Sequence, residues 1–318
     1  MLRYTRRSTL KIAGGSLAGA AVGAVGPASA QSGGWTVAET PVDSTLHDVA
    51  HTAANAHAVG DGGIVLERTE AGWETAAEGG PTGNGNDLYG AATTDDGRQL
   101  WVVGGSGAIG EYDVVTGDLV DRSSPNDVTE NFNDVGVTES ADGAYVYVAG
   151  DSGAVHYSFE NGEEGTWGSV TPGSGASLEA IDFNDRCSGH VVDSNGRVFE
   201  TTDGVTWDPI GVEDADVSLY GLDSDAGDDV SVSGGNATVL TYDGSQWTAE
   251  SLGDADLQDV ETEAGEGYTV GGGGTVFELS GGDWQQNDTP TGENLTAVAT
   301  GTPDLAVGAS GLVLERSV

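Results

Sequence analysis

Lysine is almost missing from this chain: Lys11 is the only one in 318 residues. Cysteine is as scarce, with Cys187 alone, so no disulfide can form within the chain. Beyond Lys11 the only strongly basic side chains are six arginines, and they face 52 aspartates and glutamates; the whole chain carries a formal net charge of −42. Nucleic acids and anionic membranes are recognised through clusters of Lys and Arg, so this composition excludes both as partners. With no disulfide available, stability has to come from packing. The length permits that, since a chain near 300 residues buries roughly 75% of its unfolded surface.

The first thirty residues read as an address. Thr5-Arg6-Arg7-Ser8-Thr9-Leu10-Lys11 resembles the twin-arginine export signal, with Thr9 where an aromatic residue or leucine is usual. The apolar run from Ile12 to Val25 is about 14 residues, short of the roughly 20 that span a bilayer. Ala28-Ser29-Ala30 before Gln31 then fits a small-x-small cleavage site. Residues 1–30 are therefore expected to be a signal peptide marked by Arg6 and Arg7. Residues 31–318 are expected to be one secreted or cell-surface domain, monomeric and without membrane insertion after cleavage. The acidic surface resembles that of halophilic-archaeal proteins: molar salt shrinks the Debye length to roughly 3 Å, which makes the self-repulsion tolerable.

The body of the chain repeats. Seven copies of a short phrase open with an apolar residue at Leu46, Leu88, Phe132, Leu178, Leu219, Leu257 and Leu295, between 38 and 46 residues apart. The fourth position of each is apolar again (Val49, Ala91, Val135, Ile181, Leu222, Val260, Val298), and the third is Asp, Gly or Ala. A glycine-rich phrase follows, such as Val59-Gly60-Asp61-Gly62-Gly63-Ile64-Val65 or Val307-Gly308-Ala309-Ser310-Gly311-Leu312-Val313. Each reads as strand, tight turn, strand, because glycine supplies the positive φ of short hairpin turns and β-branched residues suit a pleated sheet. Most units end on a tryptophan strand, at Trp73, Trp167, Trp207, Trp247 and Trp284.

Three or four short strands in about 40 residues, repeated seven times with no helical pattern between them, predict an all-β, seven-bladed β-propeller. Radial packing buries the two apolar faces that an isolated blade would expose. The seventh unit stops after three strands. Gly34-Trp35-Thr36-Val37-Ala38-Glu39 stands unused ahead of the first unit and is predicted to complete the last blade, sewing the ring shut.

Thr201-Thr202-Asp203-Gly204-Val205-Thr206-Trp207 and Thr241-Tyr242-Asp243-Gly244-Ser245-Gln246-Trp247 resemble the sialidase-type Asp-box repeat (BNR-like) with one residue missing. With the Val-Gly-x-x-Gly phrases, residues 31–318 resemble the WD40/YVTN/BNR-like propeller superfamily that includes photosystem II assembly and stability factors. That resemblance implies seven blades and a binding scaffold, with the Asp box as a structural hairpin. No residue peculiar to a photosystem role is recognisable.

The candidate sites are few. Sialidase chemistry needs three arginines converging on a carboxylate, yet Arg68, Arg197 and Arg316 fall on the outer strands of blades one, four and seven. Carboxylate pairs for glycoside hydrolysis could be chosen anywhere among 52 acids and so carry no information. His47 and His51 read as sharing a strand face, with His57 nearby, but no second ligand cluster accompanies them. Asp48, Asp134 and Asp259 hold the third phrase position on the innermost strands, where oxygen ligands could take Ca²⁺ or Mg²⁺; otherwise they cap neighbouring blades, and no cofactor is expected. The longest connections, Glu74 to Asp87 and Asp121 to Asn131, offer Asn84, Asn86, Asp87, Tyr89, Asn126, Asp127, Asn131 and Phe132 as binding residues at one mouth of the ring. The sequence thus points to a non-enzymatic exported scaffold for a protein or glycan partner. The alternative is a secreted glycosidase-like hydrolase or a lyase on the same scaffold.

Overall fold

A computed structural model describes residues 34–212 and 217–317. The expected signal, with Arg6 and Arg7, lies outside the described residues. Those residues form seven antiparallel four-stranded sheets, 28 strands in all, here β1 to β28 in chain order. The innermost strand of each blade is an opening phrase: Leu46–His51, Leu88–Thr93, Phe132–Thr138, Leu178–Asp185, Leu219–Ala226, Leu257–Glu263 and Leu295–Ala299. The fold is the predicted seven-bladed propeller.

Closure follows the leftover strand. β1 (Thr36–Ala38) pairs antiparallel with β28 (Val313–Arg316), in the register Thr36 to Glu315, Val37 to Leu314 and Ala38 to Val313. The two ends of the chain therefore share blade 7. Side chains on and opposite these strands lock its two flanks. Glu315 accepts a bidentate pair from Arg68 of blade 1, at 2.9 and 3.0 Å, and a third hydrogen bond from the Trp73 indole at 3.0 Å. On the other flank, Arg316 pairs with Glu278 of blade 6 at 2.9 Å, and the Trp35 indole donates to Asn287.

The cores lie between blades, where the apolar phrase positions meet: Leu46, Val49, Leu66 and Trp73 pack with Leu305, Val307 and Val313 across the closing seam. Six blades end their second strand on a glycine at this inner rim, among them Gly60, Gly104, Gly271 and Gly308. At five of the six, all but Gly150 of blade 3, a Cβ would collide with the carbonyl oxygen of the residue preceding the opening phrase. The turn amide that follows needs that same oxygen, as in Gly105 N–H to Asp87 O at 2.9 Å. Blade 4 alone lacks the glycine, with Asp193 in register with Leu178.

Candidate functional site

Each innermost strand carries a β-bulge at one place, between the first and third phrase positions. A bulge lifts one residue out of the ladder and re-aims its side chain. The lifted residues are His47, Tyr89, Asn133, Glu179, Tyr220, Gln258 and Thr296, all half-buried. Three of them reach the next blade around the inner rim. His47 meets Tyr89 edge-on at 5.3 Å between ring centroids, Asn133 donates to the carbonyl of Leu178, and Thr296 donates to the carbonyl of Leu46. This ring forms the mouth of the channel, at the end where the glycine turns lie.

A second tier rivets those turns together. The residue just before an opening phrase turns its side-chain oxygen to the preceding blade: Asp87 accepts from Gly62 N–H at 2.7 Å, Asn131 from Ser106, Asp256 from Asn236 and Asn294 from Gly273. Asp87 and Asn131, expected as binding residues, thus hold the rim in shape beside Tyr89. The other expected residues disperse. Asn84 and Asn86 stay in the connection, which begins at Glu78 because Glu74 to Ala77 belong to strand β5 (Gly72–Ala77). Asn126 donates to the carbonyl of Trp167 on the outer flank, with Asp127 beside it, at a cleft of about 570 Å³ between blades 2 and 3. Phe132 is 0% exposed and belongs to the core, because it holds the apolar first phrase position rather than the end of a loop.

The three aspartates proposed for Ca²⁺ or Mg²⁺ are not brought together. Each is buried in a separate seam and bridges two blades through backbone N–H groups: Asp48 to Val49 and Ala91, Asp134 to Val135 and Ile181, and Asp259 to Val298. Among the described residues no group of three His, Cys, Asp or Glu side chains is placed to hold a metal. His47 and His51 do not share a site either. The bulge separates them: His47 bonds Asp61 at the mouth, whereas His51 packs against Gly301 in the connection between the first two strands of blade 7. Asp203 and Asp243 each accept two turn amides, as the Asp-box hairpin implies.

Charge is uneven around the mouth. Burial pushes the Tyr89 phenol up, and Asp87, Asp61 and Asp151 push it further. Glu179 is the one carboxylate in the lifted ring. Its carboxyl is also raised, first by burial and then by the charges of Asp151 and Asp193, against a hydrogen bond from Ser177. Asp193 is 1% exposed; its Oδ1 caps the turn through Asn195 and Arg197 N–H, and its Oδ2 has no hydrogen-bond partner. Blade 4 therefore presents desolvated negative charge at the rim, with exposed Asp151 of blade 3 beside it. Two departures from the repeat put it there, Glu179 at the lifted position and Asp193 in place of glycine.

A second acidic group lies deeper in the ring, in the seams between blades 4, 5 and 6. Asp182 bridges to Ser224 N–H and Asp223 to Thr262. Burial holds Asp223 well above the usual carboxylate range, and burial with Asp229, Asp182 and Glu263 nearby raises Asp225 to about 8. His190 bonds Ser224 Oγ through Nδ1 at 2.8 Å, but both residues are buried, and burial lowers the imidazole to about 4. A hydroxyl and imidazole so enclosed have no room for a substrate carbonyl, so this pair belongs to the packing.

The lifted ring escaped the sequence reading apart from Tyr89 and His47. Its signal was present: the second phrase position changes from His to Tyr, Asn, Glu, Tyr, Gln and Thr between two positions that stay apolar or small. Free variation inside a fixed frame marks a side chain that the packing does not use.

No protein-family description and no curated protein matches this chain. Solved structures do. The chain is similar to YCF48 bound to D1 peptide at 14% identity, over 89% of this chain and 97% of that one, with a TM-score of 0.71. It is similar to the WD40 β-propeller domain of Doa1 at 12% identity, over 90% and 97%, with a TM-score of 0.70. It is also similar to virginiamycin B lyase from Staphylococcus aureus at 10% identity, over 89% and 99%, with a TM-score of 0.74. These likenesses establish the fold, a seven-bladed propeller that carries binding modules and a lyase alike.

Proposed function

We propose that this protein is an exported binding scaffold that holds a protein partner at the mouth of the ring, through a segment presenting basic side chains. The observation that carries this reading is Glu179, lifted into the rim beside Asp193 and Asp151 and half-removed from water. In molar salt, exposed charges are screened within a few ångströms, roughly 3 Å. A desolvated carboxylate keeps its preference for a guanidinium or ammonium. Tyr220 in the next blade and Tyr89 two blades away on the other side add flat surfaces with polar tips, the kind of residue enriched in interfaces. One of the propellers with a similar fold is bound to a peptide, which agrees with this use of the scaffold. Export rests on Arg6 and Arg7, and a conservative Arg6→Lys, Arg7→Lys pair is expected to keep the protein inside the cell.

The mouth reading is tested by measuring binding to an array of arginine- and lysine-containing peptides in molar KCl. Glu179→Gln and Tyr89→Ala are each expected to weaken binding by about ten-fold while leaving the thermal midpoint unchanged. Peptides that bind equally well to both variants would sink the proposal. Saturable binding of a neutral oligosaccharide at the same rim would replace the protein partner with a glycan.

A further inference from the structure

Five of the six arginines in the described residues are committed to carboxylates. Arg68 and Arg316 fasten the closing blade, Arg122 joins Glu111 and Glu163 across blades 2 and 3, Arg186 reaches Glu139, and Arg98 meets Asp113. Arg197 is the exception. Among the described residues its guanidinium has no ion pair and no hydrogen bond, in a chain with 52 acids. It stands exposed at the start of the third strand of blade 4 (Val198–Thr201), on the rim of a cleft of about 530 Å³. Phe199, Trp207, Pro209 and Val212 line that cleft.

A second observation points to the same place. The buried tryptophans beside the outer strands usually satisfy their indole N–H: Trp73 on Glu315, Trp167 on the Gly162 carbonyl and Trp35 on Asn287, with half-buried Trp247 on the Ile210 carbonyl. Trp207 is only 9% exposed, and its Nε1 has no acceptor among the described residues. The other such indole, Trp101, is fully enclosed in the core between blades 2 and 3. A buried donor without a partner is costly. In Trp207 it occurs in the wall of an open cleft. The cleft is open because the outermost strand of blade 4 is only two residues long, Asp208–Pro209.

An uncommitted cation, an unsatisfied donor and a floor of aromatic and apolar side chains together select a ligand with an acceptor charge at one end and a flat apolar body at the other. We propose that this cleft binds a small organic anion, a carboxylate on an aromatic or similarly flat skeleton. Its carboxylate pairs with Arg197 and accepts from the Trp207 indole, and its body lies against Phe199 and Pro209. The volume suits one such molecule. This site is independent of the mouth.

The test titrates 2-naphthoate into the whole chain, with ¹⁵N-labelled tryptophan, in molar KCl. Expected is saturable one-site binding that moves the indole proton signal absent from Trp207→Phe. Arg197→Gln is expected to weaken binding about ten-fold or more, with an unchanged thermal midpoint showing that the variant is folded. The neutral isostere 2-naphthamide is expected to bind correspondingly less well. The proposal is overturned if no saturation occurs, if Arg197→Gln binds as well as the parent, or if the moving signal belongs to another tryptophan. Equal competition by inorganic phosphate would overturn the ligand class, since an apolar body would then contribute nothing. Binding of an acidic peptide at this cleft with naphthoate excluded would do the same.

Discussion

Blades 4 and 7 are built from the same phrases, yet they use their charges in opposite ways. In blade 7 the adjacent residues Glu315 and Arg316 each meet an opposite charge from a neighbouring blade, and both tryptophans at its seams donate to acceptors. In blade 4, among the described residues, Arg197 has no carboxylate and Trp207 has no acceptor. Asp193 replaces a seam glycine, and burial raises the Glu179 carboxyl. A repeat protein gains stability from agreement between neighbouring units. A unit that breaks several of those agreements at once is where function is to be sought. Blade 7 closes the ring, and blade 4 is the blade proposed to face a ligand.

The largest expected effect comes from removing closure altogether. A chain that starts at Pro41 lacks β1 and leaves β28 as an open edge. It also loses Trp35 from the core it shares with Tyr268, Val270 and Leu314. We expect the thermal midpoint, followed by circular dichroism in molar KCl, to fall by roughly 15 °C or more. A fall of only a few degrees would mean that the ring does not depend on this strand.

Next comes a matched pair of single substitutions. Glu315→Ala strands the Arg68 guanidinium and the Trp73 indole together. The expected cost is about 2 kcal/mol, less than for a fully enclosed pair because Arg68 is 34% exposed. Arg197→Gln removes a charge that supports nothing in the fold and should change stability by less than about 0.5 kcal/mol. Urea denaturation of both proteins reads the difference. Equal costs would erase the distinction between the two blades.

A smaller effect separates the seams by pH. The carboxyl of Asp225 is raised to about 8 in the folded protein, far above its value in an unfolded chain. The folded state therefore holds a proton that the unfolded state has lost, and stability falls as pH rises toward 8. His57 and His190, both lowered to about 4 by burial, act in the opposite sense, but only below the normal histidine range near 6.5. Between pH 6.5 and 8.5 the thermal midpoint should thus decline by a few degrees, while Asp225→Asn should flatten the slope. An unchanged slope in that variant would place the titration elsewhere.

Much of this architecture could be read from residues alone. The phrase spacing gave seven blades, and the unused Trp35 segment gave the closing strand, because both depend on local patterns that repeat. The seam aspartates were open to two readings, since whether Asp48 meets a cation or the Ala91 amide depends on a neighbouring blade 43 residues away. The lifted ring was missed for a different reason. A bulge shifts the side-chain alternation by one residue, so counting by twos placed His47 and His51 together when they lie apart. Phe132 was misread because it follows a polar loop, although it fills the same position as six leucines. The blade 4 cleft had no sequence signal, since an arginine without a partner looks like any other until its surroundings are seen.

Amide hydrogen exchange on the intact chain in molar salt tests the contrast between the two blades most directly. If blade 7 is the clasp, the amides of Ala38 and Val313, which face each other across the closing pair, exchange only through global unfolding, while those of Gly173 and Gly211 beside the blade 4 cleft exchange through local opening, orders of magnitude faster. Exchange at Ala38 as fast as at Gly173 would contradict the account, because the ring would then be opening at the place assigned to hold it shut.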